Sequence, residues 1–104
     1  MTYRRPSAQA RARARGPVPL GHVVATPGAL ELLAERRLDG AALLARHAGG
    51  DWGDLDVGDR AANDAALGRG ERVLSAYQVG AGAALWIITE ADRSVTTLLL
   101  PSDY

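Results

Sequence analysis

The residues of this chain that could perform acid–base chemistry lie in two places. One is a segment that ends in His47, and the other is the last third of the sequence, with Arg72, Tyr77, Glu90 and Arg93. These are the groups that RNA cleavage without a metal requires. A Glu or His removes the 2′-hydroxyl proton, a second group protonates the leaving oxygen, and Arg stabilises the charged phosphorane. The candidate roles are acid and base for His47 and Glu90, phosphate binding for Arg72 and Arg93, and an orienting hydroxyl for Tyr77.

The predicted order of elements supports the same chemistry only in outline. Helices followed by an antiparallel sheet are similar to barnase-like ribonucleases and related toxins, but no diagnostic motif accompanies that order. The structural alternative is that Arg and Thr side chains simply solvate an exposed sheet face.

A second candidate site surrounds Trp52, which lies in the glycine-rich segment 49–54. A large indole beside flexible glycines suits an interface anchor, because Trp and Arg dominate binding hot spots. Alternatively, Trp52 fills the gap between the helices and the sheet, and the glycines permit the turn. For a binding protein, the predicted contact surface consists of Asp51, Trp52, Asp54, Arg93 and Tyr104.

The composition excludes several other kinds of site. The chain has no Cys and no Lys, which excludes thiolate chemistry, disulfides and a phosphate loop with Lys. The acids at 51, 54, 56 and 59 do not follow the register of a calcium loop. We therefore expect no metal and no cofactor.

Charge is distributed unevenly along the 104 residues, although the net charge is zero. Residues 1–17 contain five Arg and no acid, whereas the rest holds seven Arg against twelve acids, a net charge of −5. We expect residues 1–19 to form a disordered basic arm and residues 20–104 to form one domain. The arm could contact nucleic acid, or it could be a solvated leader. Without a long apolar run we expect a cytoplasmic protein with no membrane contact.

Capping residues and periodicity predict an α+β fold. Thr26 and Pro27 start a helix, because a threonine side chain caps free N–H groups and proline suits the first helical position. Two more short helices are predicted, residues 41–47 after Asp39 and roughly residues 57–67 after Asp56. Alternating apolar residues then predict three strands, near residues 72–79, 85–90 and 95–100. We expect two or three N-terminal helices packed on a three-stranded antiparallel meander, or on a four-stranded one if the apolar segment 20–25 is also a strand.

Several short segments together resemble a family of small uncharacterised bacterial proteins carried on plasmids and integrative elements, some of them labelled "plasmid-related protein". The segments are residues 20–30, Arg46-His47 with residues 50–53, Asp59 with Asn63, residues 74–77, residues 87–94 with Thr96-Thr97, and residues 101–104. The resemblance covers about residues 20–104. It implies a setting on a mobile element, where genes often serve element maintenance or counter host defence, and it assigns no catalytic residue.

The leading hypothesis is an accessory protein of a mobile element that binds a host or element-encoded protein. Anti-restriction or anti-CRISPR activity is one version of it, because an acidic body could imitate nucleic acid. The alternative is the metal-independent ribonuclease or toxin, and a third hypothesis is nucleic-acid binding through the Arg-rich arm.

Overall fold

The computed structural model describes residues 16–104. Its elements in chain order are β1 (His22–Ala25), α1 (Pro27–Glu35), α2 (Gly40–Ala48), α3 (Val57–Arg69), β2 (Val73–Gln78), β3 (Ala84–Thr89), β4 (Val95–Leu99) and a 3₁₀ helix (Pro101–Asp103). No helix between residues 16 and 104 has the length and apolarity needed to cross a bilayer.

Side-chain caps begin all three α-helices, as the sequence predicts. Thr26 Oγ1 accepts from the N–H of Ala29, and the carboxylates of Asp39 and Asp56 cap α2 and α3 in the same way. Each cap satisfies N–H groups that have no partner inside the helix. At the other end of α3, Gly70 adopts φ 69°, the left-handed conformation that commonly ends a helix.

The sheet is four-stranded and mixed, with the order β1-β4-β3-β2. β2, β3 and β4 form an antiparallel meander, but β1 lies beside β4 and parallel to it. The prediction of a purely antiparallel meander is therefore wrong, whereas the α+β class and the position of the helices before the meander are confirmed. A parallel pair needs a long crossover connection, and local periodicity carries no information about which strands such a crossover brings together.

All three helices pack their buried residues against one face of the sheet, the covered face. Ala29, Leu32 and Leu33 of α1 and Leu44 of α2 share a core cluster with the strand residues Val23, Ala25, Tyr77, Leu85, Ile87 and Leu98. A smaller cluster joins Ala66 of α3 to Val18, Trp52 and Val73. Val18 is 1% exposed and its N–H bonds to the carbonyl of Ala48, so packed structure begins before residue 20. Residues 1–15 of the predicted arm lie outside the described residues.

The opposite side of the sheet, the open face, receives the alternate side chains of each strand. Its central members are apolar apart from one threonine: Val24, Leu74, Ala76, Trp86, Ile88, Thr97 and Leu99. Five of the seven are half-buried, whereas Ile88 and Leu99 are buried. Among the described residues, contacts to this face come from the C-terminal segment, through Tyr104 on Trp86.

The outer edge of β2 is sealed. Asn63 of α3 bonds to both backbone groups of Leu74, with its amide donating to the carbonyl and its oxygen accepting from the N–H. Ala76 pairs with the segment before α3, accepting from Asp54 N at 2.7 Å and donating to Trp52 O at 3.1 Å. The Asp54 carboxylate then accepts from the N–H of Gln78 at 2.7 Å. Sealing an edge in this way prevents other strands from pairing with it.

Candidate functional site

A continuous chain of hydrogen bonds crosses the covered face and contains His47. Nδ1 of the imidazole lies 2.6 Å from Ser75 Oγ, and Nε2 lies 2.8 Å from Thr89 Oγ1. Thr89 Oγ1 lies 2.7 Å from Thr96 Oγ1, which in turn lies 2.6 Å from the Leu20 carbonyl oxygen. The four side chains are 0% exposed. This series of hydrogen bonds connects α2, three strands and the segment that leads into β1.

The carbonyl at the end of this network fixes the direction of the bonds as far as Nε2 of His47, and the neutral charge of the ring fixes the last one. A carbonyl only accepts, so Thr96 donates to Leu20 and must accept from Thr89. Thr89 has then used its only proton, so His47 donates from Nε2. In the neutral ring Nδ1 accepts, and Ser75 donates to it. The geometry assigns His47 the neutral tautomer with its proton on Nε2.

Burial keeps that imidazole neutral. Burial, with a smaller contribution from the nearby charge of Arg93, lowers the pKa of His47 from 6.5 to about 4. With no exposed surface and both nitrogens bonded, His47 has no route for exchanging a proton with a substrate. His47, the candidate acid–base residue, therefore does not line a cleft that RNA could enter.

Arg93 and Glu90 form a structural contact in the turn between β3 and β4. The Arg93 guanidinium donates to the backbone carbonyl oxygens of Glu71 and Glu90, at 2.8 and 3.2 Å. Arg93 itself adopts φ 61°, which is uncommon for a residue with a side chain. The guanidinium therefore connects this turn to Glu71, two residues before the start of β2.

Tyr77 and Asp51 meet beneath Arg46. The Tyr77 hydroxyl donates to the carbonyl of Asp51 at 2.6 Å, and burial raises the pKa of Tyr77 to about 12. The Arg46 guanidinium lies 4.5 Å from the centre of the Tyr77 ring and forms a 2.6 Å ion pair with the Asp51 carboxylate. That hydrogen bond holds the pKa of Asp51 below its usual value. Tyr77, at 1% exposure, is therefore a core residue that orients the loop before α3.

Trp52 lies inside the protein, at 3% exposure. Its Nε1–H donates to Asp64 at 2.8 Å, and its ring meets His47 edge to face at a centroid distance of 5.8 Å. The indole fills the space between α3 and the sheet. It is not part of a surface that a partner could contact.

Arg72 and Tyr104 lie together on the open face with Trp86, and we call these three residues the aromatic cluster. The rings of Trp86 and Tyr104 meet edge to face at 5.7 Å. The Arg72 guanidinium donates to the Tyr104 hydroxyl and lies 5.3 Å from the centre of its ring. Tyr104 remains 69% exposed. Of all the predicted site residues, these two combine an exposed position with a contact to each other.

Two contacts hold the chain that leads to Tyr104. The Asp103 carboxylate accepts from Thr26 Oγ1 at 2.6 Å and from the N–H of Leu100 at 3.0 Å. Both bonds lower the pKa of Asp103. Because Thr26 also caps α1, the C-terminal segment is fixed to the start of that helix.

Trp86 is the member of the cluster that the sequence interpretation missed. It lies in the most apolar predicted strand, where its neighbours suggest a residue buried on both sides. The alternation Leu85, Trp86, Ile87 was the available signal, since it places Trp86 opposite the two core residues beside it.

No group of three or more acidic or histidine side chains between residues 16 and 104 is arranged to hold a metal ion. No protein-family model, curated protein or solved structure matches the chain.

Proposed function

We propose that this protein is a non-enzymatic binding module whose partner is another protein. The observation that carries the proposal is the aromatic cluster of Arg72, Trp86 and Tyr104 on an apolar sheet face that none of the three described α-helices covers. Trp, Tyr and Arg are the residue types most enriched in binding hot spots. Contiguous apolar surface on a folded domain typically marks an interaction site.

Charge favours a protein partner over nucleic acid at this face. Residues 16–104 contain seven Arg and twelve acids, a net charge of −5. Nucleic-acid binding depends mainly on cations that neutralise phosphates. A domain with this charge repels a polyanion, whereas apolar and aromatic contacts to a protein are unaffected.

The resemblance to proteins of plasmids and integrative elements supports a mobile-element setting for this binding. In that setting the partner is a protein of the host or of the element, and interference with a restriction or CRISPR complex is the specific version that we propose to test. The ribonuclease alternative has no comparable support, because its histidine is enclosed in the hydrogen-bonded chain.

Affinity capture with matched variants tests the proposal. Tagged wild-type protein, Trp86→Ala, Tyr104→Ala and Val57→Ser are incubated with lysate of the host cell, and captured proteins are quantified by mass spectrometry. Val57 is the control, because it is an exposed apolar residue (73%) on α3 and lies outside the open face. We expect a partner that wild type and Val57→Ser retain equally and that the two cluster variants lose at least tenfold.

Equal capture by all four proteins would contradict a role for the open face. Urea unfolding of each variant separates loss of binding from loss of folding. Plating efficiency of phage on cells with an active restriction or CRISPR system, with and without the wild-type protein, then tests the anti-defence version.

A further inference from the structure

The open face is organised as two apolar rows that run across the strands. The strand register places Leu74 opposite Ile88, Ile88 opposite Thr97, and Thr97 opposite Val24 in the first row. The second row consists of Ala76, Trp86 and Leu99. We call these two rows the apolar band.

Rows that contain polar residues border the apolar band on both sides. Beyond the first row lie three polar residues and one valine, at the strand ends nearest the β3–β4 turn: His22, Val95, Glu90 and Arg72. Beyond the second row lie the exposed Gln78, its register partner Ala84, and the 3₁₀ helix. The rows without charged residues are therefore two deep, and the rows that border them mix small or branched apolar residues with polar ones.

The size of the apolar band corresponds to one α-helix. Residues on one face of a strand repeat about every 7 Å, so two rows with their side chains are roughly 10–12 Å deep. That is about the diameter of an α-helix with its side chains. Four strands at about 4.8 Å spacing make the band roughly 15–19 Å long, which corresponds to about 10–13 helical residues.

The shape of the face disfavours a second copy of this chain. A stable dimer interface buries at least about 1,200 Å² in total, or about 600 Å² on each partner, whereas this band offers on the order of 200 Å² of flat area. Tyr104 also projects from the face, at 69% exposure, and would keep a second flat sheet from approaching. A helix has a narrow, curved surface and can lie beside a projecting ring, and docking of this kind depends on a few anchor residues.

The positive charge of Arg72, at the border of the apolar band, indicates which kind of side chain a docked helix would place beside it. Arg72 is exposed, and its guanidinium donates to the neutral hydroxyl of Tyr104. Among the described residues, no carboxylate forms an ion pair with Arg72. An acidic side chain placed at the β2 end of the first row would therefore meet the Arg72 guanidinium, which forms no ion pair with a described residue.

We infer that the open face binds an amphipathic helix of about three turns, presented by the partner protein. Its apolar stripe lies on the two rows, against Trp86 and Tyr104, and an Asp or Glu on its flank faces Arg72. This inference rests on the proposed function, and it adds the structural class and charge pattern of the bound segment.

Selection from a displayed library of random 16-residue peptides tests the inference. Wild-type protein is the target, and the Trp86→Ala protein removes peptides that bind elsewhere. We expect the selected peptides to carry apolar residues at i, i+3, i+4 and i+7 with an acidic flank, and to bind Trp86→Ala at least tenfold more weakly. Selection on Arg72→Glu protein should replace the acidic flank with Lys or Arg.

Three results would overturn the inference: apolar residues that alternate with period two, which indicates strand addition; peptides whose binding is indifferent to Trp86; or no enrichment. Tyr104→Ala supplies a second target, because that residue is exposed and its loss leaves the core intact. If lysate capture still depends on Trp86 while the peptide selection fails, the helix is excluded and the proposed function stands. If lysate capture does not depend on Trp86, the proposed function fails first.

Discussion

Nδ1 of His47 accepts a hydrogen bond from the Ser75 hydroxyl at 2.6 Å, across 28 positions of the sequence. The bond joins α2 to β2 inside the core. Because Nε2 bonds to Thr89 in turn, one imidazole connects a helix to two strands. A buried network that is satisfied at every atom stabilises one arrangement of the elements, because each alternative arrangement leaves polar groups unpaired. His47 is therefore a structural residue.

Replacing His47 with Ala should lower the free energy of unfolding by about 3–5 kcal/mol. The change leaves a cavity and removes the partners of the buried Ser75 and Thr89 hydroxyls. Urea unfolding measures the effect. The control is His22→Ala at the exposed histidine, for which we expect a change within about 0.5 kcal/mol. Equal effects of the two substitutions would contradict the structural role of His47.

Stability should rise with pH between about 4 and 6.5. The pKa of His47 is about 4 in the folded protein, against 6.5 for an unperturbed histidine. Between those values the unfolded chain binds a proton that the folded protein does not, so the free energy of unfolding increases with pH. The full gain, about 3 kcal/mol, is present above pH 6.5 and is lost as pH falls towards 4.

Urea unfolding of wild type and His47→Gln at several pH values checks this dependence. The difference between the two proteins isolates His47, because carboxylates and His22 are common to both. The same slope in both proteins would show that His47 titrates normally.

The hydrogen bond from Trp52 to Asp64 should be measurable as a coupling energy. Trp52→Phe keeps a ring in the core and removes the Nε1–H, and Asp64→Ala removes the acceptor. In a double-mutant cycle we expect a coupling of about 1 kcal/mol, measured by urea unfolding. If the effects of the two substitutions on the free energy of unfolding were strictly additive, the hydrogen bond would contribute nothing to stability.

Asn63→Ala should open the edge of β2. The variant loses both bonds to the backbone of Leu74, which should cost about 2–3 kcal/mol of unfolding free energy. It should also associate at high concentration, since an unpaired strand edge is a template for other chains. Light scattering against concentration measures that association. Arg60→Ala, at an exposed position of the same helix, is the control and should remain unchanged.

Two glycine substitutions should act in opposite directions. Gly53 has φ 77°, and an added Cβ would collide with the carbonyl of Ala76, so Gly53→Ala should destabilise the edge pairing by more than about 1 kcal/mol. Gly68 lies in α3 with open space around it, so Gly68→Ala should stabilise the protein by about 0.5–1 kcal/mol. Thermal unfolding compares both with wild type. If both substitutions changed the stability in the same direction, the backbone roles assigned to Gly53 and Gly68 would be refuted.

Local features of the sequence were sufficient to predict the three α-helices and the three strands of the meander. Thr26 and Asp56 start helices because their side chains bond to backbone groups within three residues, and such bonds need no tertiary partner. The three strands of the meander follow from alternation, which is likewise local. The helix that contains His47 and the loop that contains Trp52 were predicted for the same reason.

Which elements pair, and which side chains they enclose, could be determined only from the tertiary structure. β1 pairs with β4 across about 70 residues, and residue spacing cannot reveal a pairing over that distance. The same long-range packing encloses His47 between two strands and places Tyr104 on Trp86. Residue types therefore indicated which side chains could carry chemistry or binding. Burial and strand order determined that the histidine holds the core together and that Arg72 and Tyr104 remain at the surface.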